Sequence, residues 1–427
     1  MTGNAQPLAD ALRAHLDPLL VWVERNGFAG WDPHDLWDSG VGAWATAARS
    51  APRRATRFLL ARAQEVSPLL VRRLLGVPPL VQAKGMGLFA SAFLRLEALE
   101  GAPRLIGGEP GYVQCFRWLD ANRVACGGGG GWGLPFDWHS RVLIPRGTPT
   151  ITTSSVIGDA YWRRYRLHGD DGALAQCEDV CRFFLGGLHR SDGPKGTFCF
   201  SYTPVDTFQV HNANLLGAEF LVRVGAETGR AEWTQTGLRA ARFSLNEIRA
   251  DGTLSYWSDS QRQGRLHQDT YHAGFEIRAL NGIARATGLD VFRRAADAYF
   301  QVWRRDYFEA DGTPCLVRGS RGVVEVHSLA EALLCTAQMR AAGSLSGSEF
   351  VDTVARAFAA GSRALWVNDG RGAGWFGWAR RPRYGTTVTS SIPLIRWGEA
   401  WMAEAMAAVL QVLAAGRGSD LEATKTE

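Results

Sequence analysis

The sequence predicts an all-α fold, an (α/α)6 toroid with short β-hairpins on one rim, from three observations. First, a glycine–threonine segment recurs as Gly196-Thr197-Phe198-Cys199-Phe200, Gly252-Thr253-Leu254-Ser255-Tyr256-Trp257 and Gly312-Thr313-Pro314-Cys315-Leu316-Val317, at spacings of 56 and 60 residues. Second, a histidine opens the apolar stretch after each copy (His211, His272, His327), and a glycine closes it (Gly229, Gly288, Gly343). Third, the two helical patterns in each unit differ. Residues 210–227 leave little polar surface, whereas in 230–250 Leu238, Ala241, Leu245 and Ile248 make one stripe opposite Arg239 and Arg242. Two helices per repeat mark stacked or ring-closed hairpins, and the contrast makes the first helix inner and the second outer.

Taken in order, residues 6–26 read as a helix with Leu8, Leu12, Leu16, Leu19 and Val23 on one face. A Gly-, Trp- and Asp-rich loop follows, then helical patterns at about 51–76, 82–100 and 109–123. Five consecutive glycines, Gly127 to Gly131, predict a flexible loop. Helix pairs then run at about 150–168 with 172–189, 210–227 with 230–250, 270–287 with 290–308, and 327–341 with 347–366, before a last helix at 390–415. Five pairs from residue 82 onward, and a sixth from the two chain ends, close the ring. The expectation is one domain over residues 1–416 and a disordered polar tail over 417–427.

The bulk numbers narrow the partners. A chain of 427 residues, 46% hydrophobic and 21% charged, has the composition of a globular protein. Its net charge of +5 is spread out, and the runs Arg72-Arg73 and Arg380-Arg381-Pro382-Arg383 are too short to imply nucleic acid, so they read as solvated surface. Seven cysteines without a CxxC pair fit a reducing compartment. No signal-peptide pattern and no membrane-spanning stretch are visible, so the expectation is cytoplasmic. Oligomeric state is left open.

In such a ring the inner helices all begin on one face, so polar residues at their starts converge on a central cavity. Four sets sit there: Asp137, His139 and Arg141; Tyr202, Asp206, His211 and Asn212; His267, Asp269, Tyr271 and His272, with Glu276 a turn later; and Glu325 and His327, with Glu331 a turn later. Each pairs a carboxylate with an imidazole, the equipment for general acid–base work near neutral pH. Asp137, His139, Asp206, His211, Asp269, Tyr271, His272, Glu325 and His327 are therefore the catalytic candidates, although Asp206 and Asp269 could equally be helix caps. No HExxH or other tight ligand spacing points to a metal, the glycine run lacks the Lys-Ser/Thr of a phosphate loop, and no cofactor is implied. Sixteen tryptophans, many in rim segments, suit sugar rings, whose C–H faces stack on indoles while hydroxyls meet polar groups. The binding candidates are Asp32, Asp35, Trp132, Trp138, Arg141, Tyr202, Asn212, Trp257, Trp378, Arg396 and Trp397.

At Gly30-Trp31-Asp32-Pro33-His34-Asp35, Gly131-Trp132-Gly133-Leu134-Pro135-Phe136-Asp137-Trp138, Thr148-Pro149, His211-Asn212-Ala213-Asn214-Leu215-Leu216, Tyr271-His272-Ala273-Gly274-Phe275 and Arg396-Trp397-Gly398-Glu399-Ala400-Trp401, the chain resembles a bacterial group of (α/α)6 architecture found near genes for exopolysaccharide and other surface glycans. His34 replaces a tyrosine usual in that group, and Gln82-Ala83-Lys84 stands where Asn-Pro-Lys is usual. The resemblance implies glycan chemistry of the six-hairpin glycosidase, lyase and epimerase type, with a carbohydrate substrate. Hydrolysis, elimination and epimerisation all remain open, as do a non-catalytic glycan-binding protein and a cyclase acting on an isoprenoid or modified peptide.

Overall fold

The structure is a computed structural model and describes residues 5–47, 50–101, 108–262, 268–383 and 385–423, with side chains to residue 416. Its helices, in chain order, are α1 (Ala5–Arg25), α2 (Gly40–Thr46), α3 (Ala51–Val66), α4 (Pro68–Leu74), α5 (Ala83–Glu100), α6 (Gly111–Ala121), α7 (Ile151–His168), α8 (Asp171–Gly187), α9 (His211–Glu227), α10 (Ala231–Asn246), α11 (Thr270–Thr287), α12 (Asp290–Asp306), α13 (Val326–Ala341), α14 (Gly347–Leu365) and α15 (Ala400–Ala423).

Twelve of them form the toroid. Contacts run α5–α7–α9–α11–α13–α15 and back to α5, closing the inner ring. Each inner helix carries an outer partner: α6, α8, α10, α12, α14 and, across the chain ends, α1 on α15. Burial follows from sequence. In α13 thirteen of 16 residues are buried, as for a helix packed on most sides, whereas α12 buries only Phe292, Ala296, Tyr299, Phe300 and Trp303, a single stripe. The expected (α/α)6 toroid is the observed fold.

The repeated glycine–threonine segments have a structural job. The first N–H groups of a helix have no partner within it. Here the N–H of Ile151 donates to the Tyr202 carbonyl at 3.0 Å, that of His211 to Tyr256 at 3.2 Å, and that of Thr270 to Leu316 at 3.1 Å. Each segment thus caps the inner helix of the preceding unit, which holds these segments on one rim. The left-handed backbone at Gly196, Gly252 and Gly312 (φ 73°, 82° and 92°) makes the turn that delivers it.

Three expectations need correction. The glycine run is not a flexible loop: Gly129–Gly131 pairs with Val124–Cys126 as a hairpin. It lies so close to α8 that a Cβ on Gly129 would fall 2.2 Å from the Asp179 carbonyl oxygen. The last helical segment begins at Ile395, as a π-helical turn Ile395–Glu399 that runs into α15, and not near 390, because the run Thr386–Pro393 pairs with the strand Gly374–Arg383. The stretch 51–76 is two helices, broken at Ser67-Pro68 where proline starts α4. At the C-terminus α15 is drawn through Ala423, into the expected tail; residues 424–427 lie outside the described residues. No described helix is long and apolar enough to cross a membrane.

Candidate active site

A cavity of about 460 Å³ opens at the N-terminal ends of the inner helices. Its wall follows a positional rule. The second residue of an inner helix faces inward in five of six cases: Lys84, Thr152, Asn212, Tyr271 and His327. Capping residues and neighbours complete it, among them Asp269, His272, Glu325, Tyr202, Tyr256, Phe275, Trp138, Trp378, Arg381, Arg396 and Trp397.

Asp269 caps α11 by accepting the His272 N–H at 2.9 Å, so the capping reading of this residue is correct. Its other oxygen, Oδ2, lies 2.7 Å from Nδ1 of the His272 ring. One carboxylate therefore fixes both the helix start and the imidazole. That contact places the Nδ1 proton on the Asp269 side and leaves Nε2 as the basic atom.

His327 differs. It is 3% exposed, and neither ring nitrogen has a hydrogen-bond partner among the described residues. Its ring stacks on Tyr271 at 4.3 Å with planes 4° apart, and the indoles of Trp397 and Trp401 lie at 4.8 and 5.2 Å. Burial, reinforced by the positive charge of Lys84 and nearby groups, pushes its pKa well below the usual imidazole range, so it is neutral. The Tyr271 ring also lies 4.5 Å from the His272 ring, so both imidazoles are neighbours of one phenol.

Glu325 caps α13, accepting the Ser328 N–H at 3.0 Å and the Trp397 Nε1–H at 2.6 Å. Burial outweighs both bonds and raises its pKa to about 7. Lys84 is 8% exposed, lines the cavity, and has no hydrogen-bond or ion-pair partner among the described residues. Burial, then the Arg396 guanidinium, lowers its pKa to about 7. Arg396 is held by the fully buried Asp32, Nε to Oδ2 at 2.6 Å, and by Gln82 at 3.2 Å. Burial raises the Asp32 pKa, but Arg396 and the His34 contacts together outweigh it, so Asp32 stays ionised.

Other sequence candidates lie away from this wall. Asp206 ties its own loop, accepting from Thr203 Oγ1 and from the N–H groups of Tyr202 and Phe208 at 2.5, 3.1 and 2.8 Å. It is not the cap of α9, a position taken by Val210. His211 points outward, binding Ser244 and Glu247 of the α10 region at 3.0 and 2.9 Å. Asp137 accepts the Arg146 N–H at 2.8 Å in an outer loop, and His139 sits in the adjoining two-residue strand. Asp35 pairs with Arg72 at 2.7 Å; Arg72 is itself buried, contrary to the solvated reading of that run. Trp132 is a core residue bonded to the Leu119 carbonyl at 2.9 Å. Arg141 lies over Trp257 at 3.6 Å, outside the cavity wall. Glu276 faces Tyr299 and Gln268, and Glu331 pairs with Arg278 at 2.6 Å. His267 lies outside the described residues.

Sequence reasoning missed Lys84, Thr152, Tyr256, Phe275 and Arg381. None belongs to a carboxylate–histidine set; for Lys84 and Thr152 the usable signal was the second position of the inner helix, while Tyr256, Phe275 and Arg381 stand elsewhere.

A larger cavity of about 830 Å³ opens on the opposite face, separated from the first by Leu216, which lines both. Several of its arginines are already matched by acids, such as Arg223 with Glu219 at 2.9 Å and Arg95 with Glu404 at 2.9 Å.

No protein-family model and no curated protein matches the chain. Solved structures do. An α-mannanase of glycoside hydrolase family 76 from Bacteroides thetaiotaomicron superposes with a TM-score of 0.55 at 14% identity, over 80% of this chain and 88% of that one. A D-mannose isomerase gives 0.55 at 11%, over 78% and 87%. A cellobiose 2-epimerase from Bacillus thermoamylovorans gives 0.52 at 10%, over 76% and 87%. The likeness is one of fold: the chain has the six-hairpin toroid that these carbohydrate-processing proteins share.

Proposed function

We propose that this protein is a carbohydrate-active enzyme that epimerises or isomerises a sugar by proton transfer between His272 and His327. The observation that carries the reading is a pair of imidazoles that both contact Tyr271, one oriented by a carboxylate and the other with no hydrogen-bond partner among the described residues. Neutral His327 takes a proton from the carbon beside a sugar carbonyl or carboxylate. His272 returns one from the opposite face, with Asp269 stabilising its positive form. Lys84 and Arg381, on the same wall, face the negative charge that develops on the adjacent oxygen. Trp138, Trp378 and Trp397 supply flat faces for the ring. The epimerase and isomerase among the structural neighbours support a sugar substrate, and the resemblance noted above supports a surface-glycan building block or oligosaccharide handled in the cytoplasm.

A second reading follows from Glu325, whose pKa of about 7 suits the general acid of a glycosidase. The two separate in deuterated water. Proton transfer gives solvent deuterium on carbon and no new reducing ends, in a nuclear magnetic resonance screen of reducing oligosaccharides and uronates. Hydrolysis gives new reducing ends without carbon-bound deuterium. Binding with neither outcome would leave a glycan-binding protein.

A further inference from the structure

Between the chain's first helix and the ring, residues 40–47 and 50–74 bury little of themselves. In α3 only Gln64 is buried among 16 residues. Trp44 is 44% exposed, Phe58 60%, Leu59 63%, Val66 61%, Leu70 56% and Leu74 76%. With Val41 these make seven of the thirteen large apolar side chains exposed among the described residues. So dense a patch on one short segment marks an interaction surface.

Its charge is equally one-sided. Residues 51–74 contain six arginines, no lysine and one acid, Glu65. Arg72 is buried against Asp35, which leaves Arg53, Arg54, Arg57, Arg62 and Arg73 for the surface. Glu65 is already engaged by Arg62 at 2.9 Å and Arg383 at 3.3 Å. Guanidinium groups lie over the patch's own rings, Arg53 on Trp44 at 5.2 Å and Arg62 on Phe58 at 5.4 Å, so cations and apolar groups share one surface.

We propose that this face docks on an anionic lipid surface, with α3 and α4 lying in the headgroup layer. Apolar side chains flanked by arginine, on helices too short to span, are what interfacial binding requires. A second copy of the chain is the weaker occupant, since apposing two such faces would bring arginines together with one already-paired acid per face. The location gives the contact a use. Both helices pack on the strand Thr386–Pro393, which pairs with the cavity-lining strand of Trp378 and Arg381. Docking would hold the cavity mouth beside the membrane, within reach of a membrane-borne glycan.

The test is flotation of the purified full chain with vesicles of phosphatidylcholine alone or mixed with phosphatidylglycerol. It needs no enzyme assay and so stands apart from the proposed reaction. Binding is expected only to the mixed vesicles and should weaken with salt. The triple variant Leu59→Ser/Leu70→Ser/Leu74→Ser, with unchanged melting, should lose more than about tenfold in affinity. Arg57→Glu/Arg73→Glu should do the same without touching the apolar groups. Absence of flotation, or equal binding to neutral vesicles, would overturn the proposal. So would a concentration-dependent dimer in light scattering that the triple variant dissolves, which would assign the face to a second copy.

Discussion

Oδ1 of Asp269 accepts the backbone N–H of His272, and Oδ2 of the same carboxylate lies 2.7 Å from the His272 ring. A cap and a catalytic orienter coincide in one side chain. Asn can still accept the backbone N–H, but it cannot stabilise an imidazolium. Asp269→Asn should therefore melt within about 1 kcal/mol of wild type and lose about 100-fold or more in kcat. Full activity with unchanged melting would reduce Asp269 to a helix cap.

His211 makes the opposite prediction. Its ring ties α9 to Ser244 and Glu247, and Asn214 joins the same cluster through Ser244 at 3.0 Å. His211→Ala leaves buried polar groups without partners and should cost about 1–3 kcal/mol. The folded fraction should keep wild-type turnover, measured as activity per folded molecule at low temperature.

Glu325 and Lys84 give pH signatures of opposite sign. The Glu325 pKa rises from 4.5 to about 7 on folding. Between those values the unfolded chain has lost a proton that the native state keeps, so this group's contribution to stability falls as pH rises from 4.5 to 7. Glu325→Gln should flatten that fall, seen as a smaller change in Tm between pH 5 and 8 on the order of a few degrees.

Lys84 goes the other way. Its pKa drops from 10.5 to about 7, so the unfolded chain holds the extra proton between those values, and stability rises with pH there. Lys84→Met removes this dependence and should be more stable than wild type, most clearly below pH 7. In the same variant kcat should fall by about 100-fold if the ammonium faces the developing charge. Wild-type turnover alongside that stabilisation would leave Lys84 without a chemical role.

Much of the toroid was legible because two periodicities agree, the repeat near 60 residues and the one-stripe against all-round burial of alternate helices. The ring closure between α1 and α15 followed from counting pairs. The strand Thr386–Pro393 was misread because a Thr-, Val- and Ile-bearing run leading into a helix carries no local mark of where the strand ends. The cavity was legible at helix resolution but not at residue resolution. His211 and His327 occupy nearly the same place in their units, yet His211 is the first helical residue and His327 the second. One position on a helix is a rotation of about 100°, enough to turn His211 toward α10 and leave Asn212 facing the cavity. Lys84 and Thr152 were overlooked for the converse reason: they stand at the inward position without a carboxylate or imidazole beside them.

The central claim is that two histidines serve opposite faces of one sugar carbon, and exchange without conversion tests it most directly. With a substrate found in the deuterium screen, His272→Gln and His327→Gln should each convert it about 100-fold or more slowly than wild type. Each variant should still exchange the carbon-bound hydrogen of one epimer with solvent, and the two variants should favour opposite epimers. Both variants exchanging the same epimer, or either one converting substrate at the wild-type rate, would contradict the account.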